Sequence, residues 1–144
     1  MKLSILNGPN LNMLGIRDPE QYGTDTLEDI ENLLIESFPD HEMVFFQSNI
    51  EGELVEAIQS LIESDVDGVM VNFGGYSHTS VAIRDALDLI DIPIVEVHLS
   101  NIHAREEFRE QTLTGAVADG IITGFGKQSY ILGVHALENL IEEN

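Results

Sequence analysis

Gly68-Val69-Met70-Val71-Asn72, running into Phe73-Gly74-Gly75-Tyr76-Ser77-His78, is the stretch that decides the fold. Val69, Met70 and Val71 leave no polar face, so the segment reads as a strand covered on both sides, as in a parallel sheet between helices. The switch to an amide, two glycines and an imidazole then places, just beyond the strand's carboxyl end, a loop that can approach a ligand closely. An ordinary turn would use the same residues, and the rest of the chain has to choose between the two.

Working outward, short apolar runs alternate with segments of helical period, the pattern of a sheet flanked by helices. Further strands are expected near Leu3–Leu6, Met43–Gln47, Ile94–His98 and Gly120–Gly124, with the first, third and fourth of the set compact enough to be central. Thr26 is placed to cap a helix whose Leu27, Ile30, Leu33, Leu34 and Phe38 form one stripe, with Asp29 in its acidic first turn and Pro39 at its end. Leu54, Ala57, Ile58, Leu61 and Ile62 mark a second helix, Val81 to Ile90 a third, and Tyr130 to Ile141 a last one. A shorter acidic helix is expected around Glu106–Gln111, Phe45 and Phe46 read as core, and His41 and His135 as surface or packing residues. No repeat or linker interrupts the order. The expectation is a single domain over residues 1–144: an α/β, flavodoxin-like, doubly wound five-stranded parallel sheet with helices on both faces.

A chain of 144 residues suits one core, large enough to bury about two thirds of the surface of its unfolded form. Its 26 acidic against six basic residues give a formal charge of −20, yet 43% of the chain is apolar and periodic, so the charge belongs to a surface and not to disorder. Such a field argues against nucleic acid and anionic membranes as partners, and it opposes self-association unless salt or an apolar interface intervenes. The apolar run Leu3–Leu6 is too short for a signal peptide and no stretch approaches a membrane span, so a cytoplasmic location is expected. The absence of cysteine excludes disulfides, thiolate metal sites and a cysteine nucleophile.

Against that acidic background, three of the four arginines fall in polar segments crowded with chemical groups. Arg17 lies in the run from Asn7 to Gly23 after the first strand; Arg105 and Arg109 follow the fourth strand in the run from His98. Ligands of doubly wound sheets sit beyond the carboxyl ends of the strands. These two runs and Asn72–His78 should therefore converge on one edge, forming a small positive site for an anionic ligand.

Glu96 and His98 are two apart on an expected strand, so they project from the same face and can pair. A carboxylate beside an imidazole orients the ring and favours its charged form, which makes a general acid; a structural pair at a strand end is the competing reading. Tyr22 is a candidate base only with a cation beside it, because ordinary phenols ionise near pH 10. Arg17 on the same loop supplies that cation, although packing or a cation–π contact would also explain the pair. Asn72 offers an amide at a strand end, and His78 stands before a helix start where an imidazole and backbone N–H groups could hold oxygen atoms or merely cap. Gly124-Phe125-Gly126-Lys127-Gln128 misses the Walker phosphate loop at two positions, Ile121 and Gln128. His98 and His103 lack one-face helical spacing for a metal, and a phosphoacceptor receiver domain would need acids where Asn7 and Asn72 stand.

Taken together, Asn7-Gly8-Pro9-Asn10-Leu11-Asn12, Gly15-Ile16-Arg17-Asp18-Pro19…Tyr22-Gly23, His78-Thr79-Ser80 and Glu96-Val97-His98…Asn101-Ile102-His103-Ala104-Arg105-Glu106 resemble type II 3-dehydroquinate dehydratases over nearly the whole chain. The resemblance implies a flavodoxin-like lyase with no metal or cofactor, assembled as a homododecamer built from trimers, serving the shikimate pathway of aromatic amino acid biosynthesis or quinate breakdown. It makes Tyr22 the base that removes the C2 proton of 3-dehydroquinate and Arg17 its support. Asn10 is matched to enolate stabilisation through a bound water, and His98, oriented by Glu96, to protonation of the departing hydroxyl. Asn72, His78, Leu99, Ser100 and Arg109 match positions that hold substrate, Arg105 a lid position beside the base, and Asp85 a residue that reaches a neighbouring subunit's site. Phe73 and Ser77 depart from the residues usual in the family at their positions. The competing class is a non-catalytic or flavin-binding flavodoxin-like module.

Overall fold

A computed structural model describes residues 1–144. Five parallel strands, β1 (Lys2–Asn7), β2 (Glu42–Gln47), β3 (Gly68–Asn72), β4 (Ile94–His98) and β5 (Gly120–Thr123), form one sheet in the order β2-β1-β3-β4-β5. β3 and β4 are buried throughout and β1 nearly so, whereas exposure alternates along the edge strand β2. The three apolar runs that read as central therefore are central. The reading of Phe46 as core needs correction: on an edge strand with one wet face, Phe45 packs on the core and Phe46 is 38% exposed.

Each sheet face carries its own core. Leu3, Ile5, Met70, Val95 and Val97 pack with α2 (Leu27–Ser37) and α6 (Gln128–Glu142) on one side. Leu6, Val69, Val71 and Ile94 pack with α3 (Glu51–Gln59) and α5 (Val81–Leu87) on the other. The Thr26 cap is present as a reciprocal box: the Asp29 amide donates to Thr26 Oγ1 at 3.1 Å and the Thr26 amide to the Asp29 carboxylate at 2.9 Å. Those bonds hold the Asp29 carboxyl below its ordinary range, the backbone amide of Thr26 being the main cause.

Four helices differ from expectation. The second ends at Gln59, and the amides of Leu61 and Ile62 bond three residues back, to Ile58 and Gln59. The third ends at Leu87, and the amides of Leu89 and Ile90 bond three residues back, the tighter winding common at helix ends. The last helix starts two residues earlier, at Gln128. The acidic segment after Arg105 forms only the short 3₁₀ turn Glu107–Arg109, in keeping with the like charges of Glu106, Glu107 and Glu110. Two one-turn helices lack the length for a periodic signal: α1 (Pro19–Tyr22) and α4 (Tyr76–Thr79). No helix is long and apolar enough to cross a membrane.

Candidate active site

Beyond the carboxyl ends of β1, β3 and β4 the three polar runs meet around a cavity of about 100 Å³. Asn10, Arg17, Tyr22, Asn72, His78, His98, Leu99, Ser100, Arg105 and Arg109 all line it. Its walls include three arginines and no carboxylate, so a local positive site does sit inside a body of net charge −20. Asp85 lies elsewhere: it is exposed on α5, 3.7 Å from Arg84 and outside the cavity of its own chain.

The loop after β1 is shaped by unusual backbone. Asn10 adopts φ 70°, the one non-glycine residue in the left-handed region, a conformation asparagine tolerates better than most. Gly74 at φ 57° lets the loop after β3 close on it, since a Cβ there would stand 3.0 Å from the Pro9 carbonyl oxygen. The expected close approach at Gly74 is thus first an approach of loop to loop. Phe73 is fully buried in the core beneath, so this departure from the family pattern fills core space and does not line the cavity; Ser77, also buried, has a hydroxyl without a partner.

At one end of the cavity, α1 carries Tyr22, whose phenol oxygen accepts a hydrogen bond from Arg17 Nη2 at 2.8 Å. The Arg17 guanidinium carbon lies 3.9 Å from the centroid of the tyrosine ring, and that of Arg105 lies 5.1 Å from it. Arg105 is tied down through Nη1 to Ser100 Oγ at 3.3 Å. Glu106 sits between the two downstream arginines, 3.7 Å from Arg105 and 3.1 Å from Arg109; a backbone hydrogen bond at Glu106, and after it the hydrogen bond and charge of these arginines, holds its carboxyl below the ordinary range.

At the other end, β4 points Glu96 and His98 to the same face, and His98 Nε2 stands 2.9 Å from Glu96 Oε2. Glu96 has no exposed surface. His78 stacks toward His98 with ring centroids 6.0 Å apart, and its Nδ1 donates to the Gln111 carbonyl at 2.8 Å. Burial, and then the neighbouring His98 and Arg109, push the His78 imidazole below its usual range. His78 is therefore neutral at pH 7, with the proton on Nδ1 and Nε2 left as an acceptor.

Sequence reasoning missed the layer behind these groups. Tyr130 of α6 donates to Asn7 Oδ1 at 2.6 Å and accepts from Asn72 Nδ2 at 3.0 Å, so a buried phenol holds the two strand-end amides. Burial pushes its own ionisation far up. Thr114 Oγ1 donates to Glu96 Oε1. Neither residue carries a local signal, because Tyr130 reads as helix stripe and Thr114 as loop.

The whole chain takes part in this arrangement, and residues 1–138 match the family described as Dehydroquinase class II. The chain belongs to the class II dehydroquinase family. It is 48% identical over 145 residues to the 3-dehydroquinate dehydratase of Aliarcobacter butzleri (strain RM4018), covering 99% of this chain and 88% of that protein. The crystal structure of type II dehydroquinase from Butyrivibrio crossotus DSM 2876 superposes with a TM-score of 0.93 at 41% identity, covering 96% of this chain and 97% of that one. That of the type II dehydroquinase from Propionibacterium acnes gives 0.90 at 37% identity, over 98% and 96% of the two chains. Both the type II reading and the expected sheet are borne out, and the flavin-binding alternative is not favoured.

Proposed function

We propose that this dehydroquinase, a hydro-lyase of the shikimate pathway, removes water from 3-dehydroquinate by an anti elimination in which Tyr22 is the base and His98 the acid. The observation that carries the assignment is the hydrogen bond from Arg17 to the Tyr22 phenol oxygen at 2.8 Å in a cavity walled by three arginines. A proton alpha to a ketone needs a base and a stabilised enolate; a hydroxyl leaving group needs an acid. Tyrosinate at Tyr22, its charge held by Arg17, takes the C2 proton. The electron pair moves to the ketone oxygen, where Asn10 helps to hold the enolate. As the enolate collapses, the bond to the beta hydroxyl breaks and His98 donates the proton that lets it leave as water, giving 3-dehydroshikimate. Glu96 keeps the imidazolium oriented. Arg109 and Asn72 bind the substrate's carboxylate and hydroxyls along with Leu99, Ser100 and the neutral His78. Arg105 belongs to the lid beside the base.

The domain of residues 1–144 is the catalytic unit, working in the cytoplasm without a cofactor. A dodecamer of trimers would carry the exposed Asp85 to a neighbour's cavity. Sedimentation at low and high KCl tests that assembly, since subunits of charge −20 repel and salt relieves the repulsion. The activity is tested by adding 3-dehydroquinate and following the ultraviolet absorbance of the conjugated enone. A rise in absorbance supports the reading, and its absence from folded protein excludes it.

A further inference from the structure

β4 turns Ile94, Glu96 and His98 toward the face that carries Leu6, Val69 and Val71, so a carboxylate with no exposed surface stands in register with Val71 and two residues along from Ile94. Such a charge is tolerated only when it is paired and hydrogen-bonded. Each oxygen of Glu96 has one donor: Oε2 faces His98 Nε2 at 2.9 Å, and Oε1 accepts from Thr114 Oγ1. Thr114 itself is fully buried. It belongs to a strap, Gln111–Gly115, fastened to α4: the Leu113 amide donates to the Ser77 carbonyl at 2.7 Å, and the Gln111 carbonyl accepts from His78 Nδ1 at 2.8 Å. The strap is seated tightly, for a Cβ on Gly115 would run into Thr112 Oγ1 and Ile121 and stand 3.2 Å from Glu96 Oε2.

We propose that Thr114 is a positioning residue for the acid half of the reaction: its hydroxyl fixes the Glu96 carboxylate, which fixes the His98 ring. With Nε2 committed to Glu96, Nδ1 is the nitrogen left to face the departing hydroxyl. His98 gives up the Nδ1 proton as the C–O bond breaks and ends neutral with its remaining proton on Nε2, toward Glu96. Thr114 exchanges no proton. The proposal rests on the assignment of His98 as the acid, and it gives a role to a fully buried threonine in a loop whose adjoining residues, Leu113 and Gly115, are only half-buried.

Thr114→Val keeps the shape and removes the hydroxyl. In the full chain it should lower kcat about 10–100-fold with KM changed by less than about twofold, and Thr114→Ser should recover most of the loss. Where valine lowers the yield of folded protein, Thr114→Ala is read the same way. The decisive readout is substrate deuterated at C2. If only the acid step is slowed, the primary isotope effect on kcat shrinks and recovered substrate loses its C2 deuterium to solvent. Wild-type kcat in both hydroxyl-free variants overturns the proposal, as does a loss of rate with an undiminished isotope effect. Failure of the wild-type protein to dehydrate 3-dehydroquinate is a different result: it removes the assignment of the site, and the role of Thr114 with it.

Discussion

The two ends of the cavity are built differently. The Arg17–Tyr22 end stands on a loop and a single-turn helix, half-exposed, and is held by one hydrogen bond and the stacked guanidinium groups of Arg17 and Arg105. The Glu96–His98 end stands on a central strand, buried, with each carboxylate oxygen occupied. The contrast fits the roles proposed for the two ends. A base that needs a cation can gather one on a polar loop. An acid whose ring must be aimed gains more from the rigidity of a strand, and the buried carboxylate that aims it must have every partner in place.

This comparison breaks if the two ends respond alike to mutation. The largest effect is expected from removing the proposed base or the proposed acid: Tyr22→Phe and His98→Ala should each reduce kcat on the order of 10³-fold. Tyr22→Phe should leave the thermal midpoint nearly unchanged, because the ring packing survives. Near-normal turnover in Tyr22→Phe would exclude tyrosinate as the base.

A second, smaller effect sharpens the difference in stability. Glu96→Ala strands the Thr114 hydroxyl and the His98 N–H in a dry interior, at about 1–3 kcal/mol each. Thermal unfolding should show a drop of several degrees. Arg105→Ala, beside the Tyr22 ring, should lower kcat/KM by about tenfold with little change in melting. Equal destabilisation by the two variants would erase the distinction between a buried end and a loop-borne end.

The smallest effect concerns pH. His78 sits at the Glu96–His98 end, and burial, with His98 and Arg109 beside it, lowers its affinity for a proton. The unfolded chain takes that proton near pH 6.5, the folded protein only at lower pH. Stability should therefore fall as pH drops below about 6.5 toward the folded value, and His78→Gln should lack that increment of loss. An NMR titration of the His78 ring checks the premise; a midpoint at or above 6.5 contradicts it.

The strands were legible because burial on both faces leaves a run without polar residues, as at Val69–Val71, and the box at Thr26 was legible because its partners are three residues apart. The lining of the cavity was legible for a related reason: in a parallel sheet the chain passes the same edge after every strand, so polar runs in those places must meet. The edge position of Phe46 and the early stop of the helix at Leu87 depended on neighbours that periodicity does not report.

By itself, then, the sequence determined the sheet, its central strands, the positive edge and the residues that face it. Only the tertiary structure decided which groups stand behind them. Tyr130 bonds Asn7 and Asn72 across separations of 123 and 58 residues, and Thr114 reaches Glu96 across 18. The physical reason is that burial repeats with the local geometry of the chain, whereas a hydrogen bond in the interior is fixed by the few ångströms that separate two atoms once all the elements have packed.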